Sequence, residues 1–151
     1  MPRDITCRLI TKDFHILQAM LAERSERDDP LVPLLREKLA TTKLLLPHEV
    51  SPDVVTLYSR VRYRVGAEAA TSRIVIQGTA HEVLGATLPV THPRGLALLG
   101  LAEQQTFTLR DAQGRPEAIH VEKVLYQPQA AGRRPEVQGL AIRRARDGVS
   151  S

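Results

Sequence analysis

The spacing of apolar residues changes near Pro47 from a helical period to a strict alternation, and that change limits what the chain can fold into. Upstream of it, Phe14, Leu17 and Leu21 fall at i, i+3 and i+7, with Ile16 and Met20 beside them. One apolar stripe therefore runs along a helix over residues 12–25. Thr11 is placed to cap that helix, and Asp13 lies in its first turn, where the dipole favours an anion. Asp29 followed by Pro30 is a second start signal, an acceptor side chain ahead of a residue with no N–H to satisfy. Leu31, Leu34, Leu35 and Leu39 carry a second stripe as far as residue 43. Two short amphipathic helices on either side of the polar segment SERDD predict an antiparallel two-helix hairpin. It occupies residues 1–46, with a short extended run over residues 5–10.

Beyond Pro47 and Pro52 the period is two. Arg60, Arg62 and Arg64 alternate with Val61, Tyr63 and Val65, which predicts a half-buried strand. Residues 73–77, 106–110 and 118–126 are further strand-like runs, and DAQGRP (residues 111–116) supplies the turn between the last two. In THPRGLALLG, Thr91 is placed as a cap, Pro93 in the first turn and Gly100 as a stop, giving a short helix whose Leu96, Leu98 and Leu99 face the core. The expected class is α+β: the hairpin, then an antiparallel sheet domain with one short helix over residues 47–128. Residues 129–151 are rich in Gly, Ala, Arg and Ser and predict a basic tail, disordered or weakly helical.

Charge and aromatic content narrow the functions available. The formal net charge of +4 divides into +1 over residues 1–45, 0 over residues 46–128 and +3 over residues 129–151. The folded part is near neutral, so no general DNA-coating face is expected. Aromatic residues make up 3% of the chain and Trp is absent, which argues against base-stacking platforms and aromatic cages. Cys7 is the one cysteine, so no internal disulfide and no cysteine-based zinc cluster can form, and its apolar surroundings predict a buried, inert thiol. His15, His48, His81, His92 and His120 lack ligand spacing, and no nucleophile elbow, Walker loop or dinucleotide fingerprint is present. No catalytic residue, metal or cofactor is expected. The opening MPRDITCRLI lacks a signal-like apolar run, and no stretch approaches membrane-spanning length, so a cytoplasmic location with no membrane contact is the expectation.

Three strings carry a resemblance: PDVVTLYSRVRYR (residues 52–64), HPRGLALLGL (residues 92–101) and VLYQPQAAG (residues 124–132). In order and spacing they resemble the Gre transcription elongation factor family, and within it the short-armed regulators of nucleoside diphosphate kinase. The resemblance covers about residues 4–132. It implies an FKBP-like sheet domain behind a coiled-coil arm, and binding to bacterial RNA polymerase near the secondary channel in competition with Gre factors. It also implies that the loop at residues 92–99 lies near the docking surface, so Thr91, His92, Pro93 and Arg94 are the contact candidates. In long-armed Gre factors acidic residues at the arm tip hold a catalytic metal. Here the tip carries Glu23, Glu26, Asp28 and Asp29, but Arg24 and Arg27 sit among them. A helix of about 14 residues also reaches only about 21 Å, far less than a Gre arm. A solvated charged turn without transcript-cleavage activity is the expectation, with contact at the channel mouth as the other reading.

Where Gre proteins carry Gly-Asp beyond the ALLG string, this chain reads EQQ (residues 103–105), implying a different turn and a lost acceptor before Phe107. Arg60, Arg62 and Arg64 form a row about 7 Å apart. They suit acidic polymerase surface or nucleic-acid phosphate, or are simply a solvated strand face. The reading is a non-enzymatic, monomeric transcription regulator. Two rivals remain: an FKBP-type prolyl isomerase, for which the aromatic pocket is lacking, and a weak nucleic-acid-binding module using Arg133, Arg134, Arg143, Arg144 and Arg146 of the tail.

Overall fold

The computed structural model describes residues 7–24, 29–78, 85–110 and 113–132. Strand β1 (Cys7–Ile10) leads directly into helix α1 (Thr11–Ala22), and helix α2 (Leu31–Thr41) leads directly into strand β2 (Thr42–Leu45). The two strands pair in parallel, from Cys7 opposite Thr42 to Ile10 opposite Leu45. The periodicity of the hairpin does not announce this clasp, because four-residue strands carry too little pattern. It shortens the second helix, predicted to residue 43, by diverting Thr42 and Lys43 into a ladder.

Capping differs in detail from expectation. Ile10, in extended conformation, occupies the cap position of α1, and Thr11 is already helical. Pro30 holds the cap position of α2, and Asp29 just ahead of it supplies the acceptor: its Oδ1 accepts the Leu31 N–H at 2.9 Å, while Oδ2 takes the Arg24 guanidinium at 2.7 Å.

The five-stranded sheet comprises β3 (Arg60–Val65), β4 (Thr71–Ile76), β5 (Thr87–Pro89), β6 (Thr106–Arg110) and β7 (Pro116–Tyr126), in the order β5-β4-β3-β7-β6. Its neighbours are antiparallel except β4 and β5, which are parallel, so the expected all-antiparallel sheet is corrected to a mixed one. Three residues ending in proline were too short a signal for β5. Helix α3 (Pro93–Leu98) follows β5, and helix α4 (Pro128–Gly132) follows β7. Gln129 of α4 accepts the Thr56 hydroxyl hydrogen at 2.7 Å, and Gln127 donates to the Ser51 and Val54 carbonyls at 2.8 and 2.7 Å. Residues 129–132 thus have a fixed place, where composition pointed to disorder or weak helix. Residues 133–151, with all five tail arginines, lie outside the described residues.

One apolar core joins the two parts of the chain. Leu96, Leu98 and Leu99 are wholly buried and belong to the same cluster as Val61 and Tyr63 of β3 and Leu17 and Leu35 of the hairpin. Two polar side chains also cross this junction. Lys38 of α2, 1% exposed, donates from Nζ to the Ala97 and Leu99 carbonyls at 2.7 Å each. The same ammonium lies 3.8 Å from Cys7 Sγ and 4.9 Å from the Phe107 ring centroid. Burial pushes its pKa down, and the Cys7 sulfur and Glu37 oppose that shift.

Asp13 is also 1% exposed, and its Oδ2 accepts the Leu57 N–H at 3.0 Å, tying α1 to the segment before β3. Burial raises its pKa from 3.8 to about 6, against the opposing pull of the Leu57 N–H and Lys12. A raised folded-state pKa means that this carboxyl favours the fold fully below pH 4 and that the benefit is lost as pH rises through 6. Asp13→Asn keeps the acceptor and removes the buried charge. It is expected to be more stable than the parent by about 1–2 kcal/mol at pH 7.5, with the gap closing toward pH 4. Urea titrations at the two pH values check this, and a gap independent of pH would contradict it.

The turn before β6 keeps a glycine-like backbone without a glycine. Gln104 sits at φ 71°, in the left-handed region, and its Nε2 donates to the Glu122 carbonyl at 3.0 Å. Gln105 Oε1 accepts the Ala102 N–H at 2.8 Å and Glu103 Oε2 the Val124 N–H at 2.9 Å. The acceptor expected to be lost is supplied by these two side chains.

Candidate functional site

Helix α3 begins where β5 ends, and its first residues bring together the groups expected to make contacts. His92, rather than Thr91, occupies the cap position: its Nδ1 accepts the Arg94 N–H at 3.1 Å. Thr91, His92 and Pro93 are exposed. Arg94 is half-buried and grips Glu117 of β7 side-on, Nε to Oε2 at 2.7 Å and the adjacent amino group to Oε1 at 3.1 Å. That bond raises the guanidinium pKa above its already high ordinary value. Burial, with Arg94 and Arg73 nearby, pushes the His92 pKa down, so its ring is neutral at pH 7.

Two concavities flank this corner. A groove of about 470 Å³ runs between Pro30, at the start of α2, and Pro93, Arg94, Leu109 and Arg110. On the other side, a cavity of about 220 Å³ is lined by Tyr63, Arg73, His92 and Arg94 together with Leu88 and Pro89 of β5. Tyr63, Arg73 and Glu117 were not singled out from the sequence, because they come from three strands spread over 55 residues and no local motif links them.

The arginine row lies elsewhere. Residues 60–65 alternate exposed and buried, so Arg60, Arg62 and Arg64 stand on the sheet face opposite Tyr63 and α3. A bulge in β7, between the partners of Arg62 and Tyr63, turns Glu122 onto the arginine face. Its two oxygens take Arg62 Nε at 3.3 Å and an Arg64 amino group at 3.2 Å. The two expected contact sets are therefore not one surface, and two of the three arginines already have a carboxylate. At the hairpin tip, Glu23 is exposed and Asp29 is engaged by Arg24, which lowers the Asp29 pKa. Glu26 and Asp28 lie outside the described residues. Among the described residues no group of three His, Cys, Asp or Glu is arranged to hold a metal ion, and no helix is long and apolar enough to cross a membrane. Cys7 is buried, as expected, and its Sγ is 3.7 Å from the Leu99 carbonyl.

No family model matches the chain. A solved structure, a prokaryotic transcription elongation factor GreA/GreB from Nitrosomonas europaea, superposes over 82% of this chain and all of its own, with a TM-score of 0.62 and 26% identity. The fold is thus that of the Gre-type transcription factors. The regulators of nucleoside diphosphate kinase from Escherichia coli K12 and Shigella flexneri are each 30% identical over 104 residues, which is 68% of this chain and 76% of theirs. The chain belongs to the family of the regulator of nucleoside diphosphate kinase, a relative of the Gre factors.

Proposed function

We propose that this protein is a bacterial transcription regulator that binds RNA polymerase near its secondary channel, without stimulating transcript cleavage. The family likeness supports a transcription-related regulator, and the observation that carries the finer reading is the exposed corner formed by Thr91, His92, Pro93 and Arg94. That corner lies beside a groove and is held rigidly by the Arg94–Glu117 pair. In this reading the sheet unit is an FKBP-like scaffold used for docking, and the hairpin is a short coiled-coil arm. Helix α1, at 12 residues, spans only about 18 Å. Such an arm occupies the channel mouth and competes with longer factors for the entrance. The protein acts in the cytoplasm as a monomer, without catalysis and without a cofactor, and the arginine tail adds weak, salt-sensitive nucleic-acid contact.

Co-purification with core polymerase tests this, with and without a Gre competitor. Reversing Arg94 alone would set two carboxylates against each other, so the informative variant is the swap Arg94→Glu with Glu117→Arg. A partly exposed pair of this kind contributes little to stability. The swap is expected to leave the melting temperature within about 2 °C and to weaken polymerase capture at least about fivefold. Capture equal to the parent removes this corner from the docking surface, and failure of the parent to bind at micromolar concentration removes polymerase altogether.

A further inference from the structure

The cavity of about 220 Å³ on the far side of α3 sets the hydrogen-bond donors of Tyr63, Arg73, His92 and Arg94 beside the apolar Leu88 and Pro89. Arg73, projecting from β4, has a buried Nε with no hydrogen-bond partner among the described residues. A buried guanidinium nitrogen left unpaired is costly, and native proteins rarely keep one without a reason. Arg94 spends Nε and one amino group on Glu117, which leaves its other amino group uncommitted among the described residues. The Nδ1 of His92 accepts a backbone N–H, which places the proton of the neutral ring on Nε2 as a donor. Tyr63, 3% exposed, lines the same cavity from β3. Among the described residues the carboxylate in contact with this set, Glu117, is already engaged by Arg94, and Glu68 acts on Arg94 through its charge.

We propose that this cavity is a binding site for a phosphate-type oxyanion, held by Arg73, Arg94 and His92 with Tyr63 at its wall. The donors come from three elements, β3, β4 and the start of α3. That convergence suits a tetrahedral group with acceptors on several sides better than a planar carboxylate, whose two oxygens lie in one plane and match one guanidinium edge to edge. The cavity exceeds the size of a bare phosphate, so it has room for the phosphoryl end of a small metabolite. This site does not depend on polymerase binding, and it is tested on the isolated protein.

The experiment is a titration of the full chain at pH 7, followed by amide spectra, with inorganic phosphate, with glycerol phosphate and with chloride at matched ionic strength. Saturable shifts confined to the neighbourhood of Tyr63, Arg73, His92 and Arg94, seen with either phosphate and not with chloride, are the expected result. Tighter binding of glycerol phosphate assigns the site to a phosphorylated metabolite, and tighter binding of inorganic phosphate assigns it to the free ion. Arg73→Gln is expected to weaken binding at least tenfold. Shifts that chloride reproduces, shifts that do not saturate, or a folded Arg73→Gln variant that binds phosphate like the parent would overturn the proposal. If that variant does not fold, the localisation and saturation of the parent's shifts decide the matter alone.

Discussion

Replacing Lys38 with methionine is expected to destabilise the protein by about 2–5 kcal/mol, although methionine nearly matches the volume and stem of lysine. Exchanging a buried charge for an apolar residue is often neutral when its partners are exchanged with it. Here the partners are the Ala97 and Leu99 carbonyls at the end of α3, which no side-chain substitution removes. Each loses a 2.7 Å charge-assisted bond and stays buried: the Ala97 carbonyl loses its side-chain donor, at about 1–3 kcal/mol, and the Leu99 carbonyl keeps only the weak Cys7 thiol contact at 3.7 Å. The Phe107 ring also loses its cation, at an expected cost of up to about 2 kcal/mol, against which the relief of Lys38 desolvation is set. Lys43→Met, at an exposed position of β2, is the control and should fall within about 0.5 kcal/mol of the parent. Urea unfolding followed by far-UV circular dichroism measures both. A Lys38→Met variant within 1 kcal/mol of the parent would mean that water or backbone movement satisfies the two carbonyls, and the strut between hairpin and sheet would have to be abandoned (the threshold is about the net worth of one hydrogen bond).

Lys38 also shows where sequence reasoning stops. Counting from Leu31 at steps of three and four gives Leu34, Leu35 and then position 38, so the helical period itself put this lysine on the buried face. The usual preference of lysine for water diverts the stripe to Leu39, which is only partly buried. Helices α1 and α2, β3, β6 and α3 were legible because each repeats a period over several residues or is bounded by Pro and Gly. Strand β1 falls within the extended run over residues 5–10, but β2 and β5 have only four and three residues, and their existence depends on partners remote in sequence. The contact corner was legible as a string, HPRG, yet its chemistry was not. Glu117, which fixes Arg94, lies 23 residues away, and Arg73 comes from a different strand. The separation of Arg60, Arg62 and Arg64 from that corner was implicit in the alternation: once Tyr63 faces α3, its neighbours must face away.

Gly95→Ala is expected to cost about 3 kcal/mol or more, despite alanine being the better helix former by about 1 kcal/mol. A Cβ at this position, in the first turn of α3, would run into the Pro89 carbonyl oxygen, and it would lie 2.8 Å from the carbonyl carbon and 3.3 Å from Leu88 Cγ. The obstacle is backbone of β5, which cannot rotate aside as a side chain can. Relief therefore requires α3 to move off the strand, and α3 carries Leu96 and Leu98, both fully buried in the shared core. Gly132→Ala is the control, since nothing lies within 4 Å of the Cβ it would add, and it should be neutral or slightly stabilising. For a folded body of this size the Gly95 variant should melt about 10 °C lower. Because His92 and Arg94 stand on the same turn, a variant that still folds should also lose the fixed Arg94–Glu117 geometry. Its polymerase capture and its phosphate shifts should then fall together, whereas Arg73→Gln addresses the phosphate site alone. A Gly95→Ala protein that melts within 2 °C of the parent would show that β5 and α3 can part without cost, and the close approach of helix to strand would not be what positions this corner.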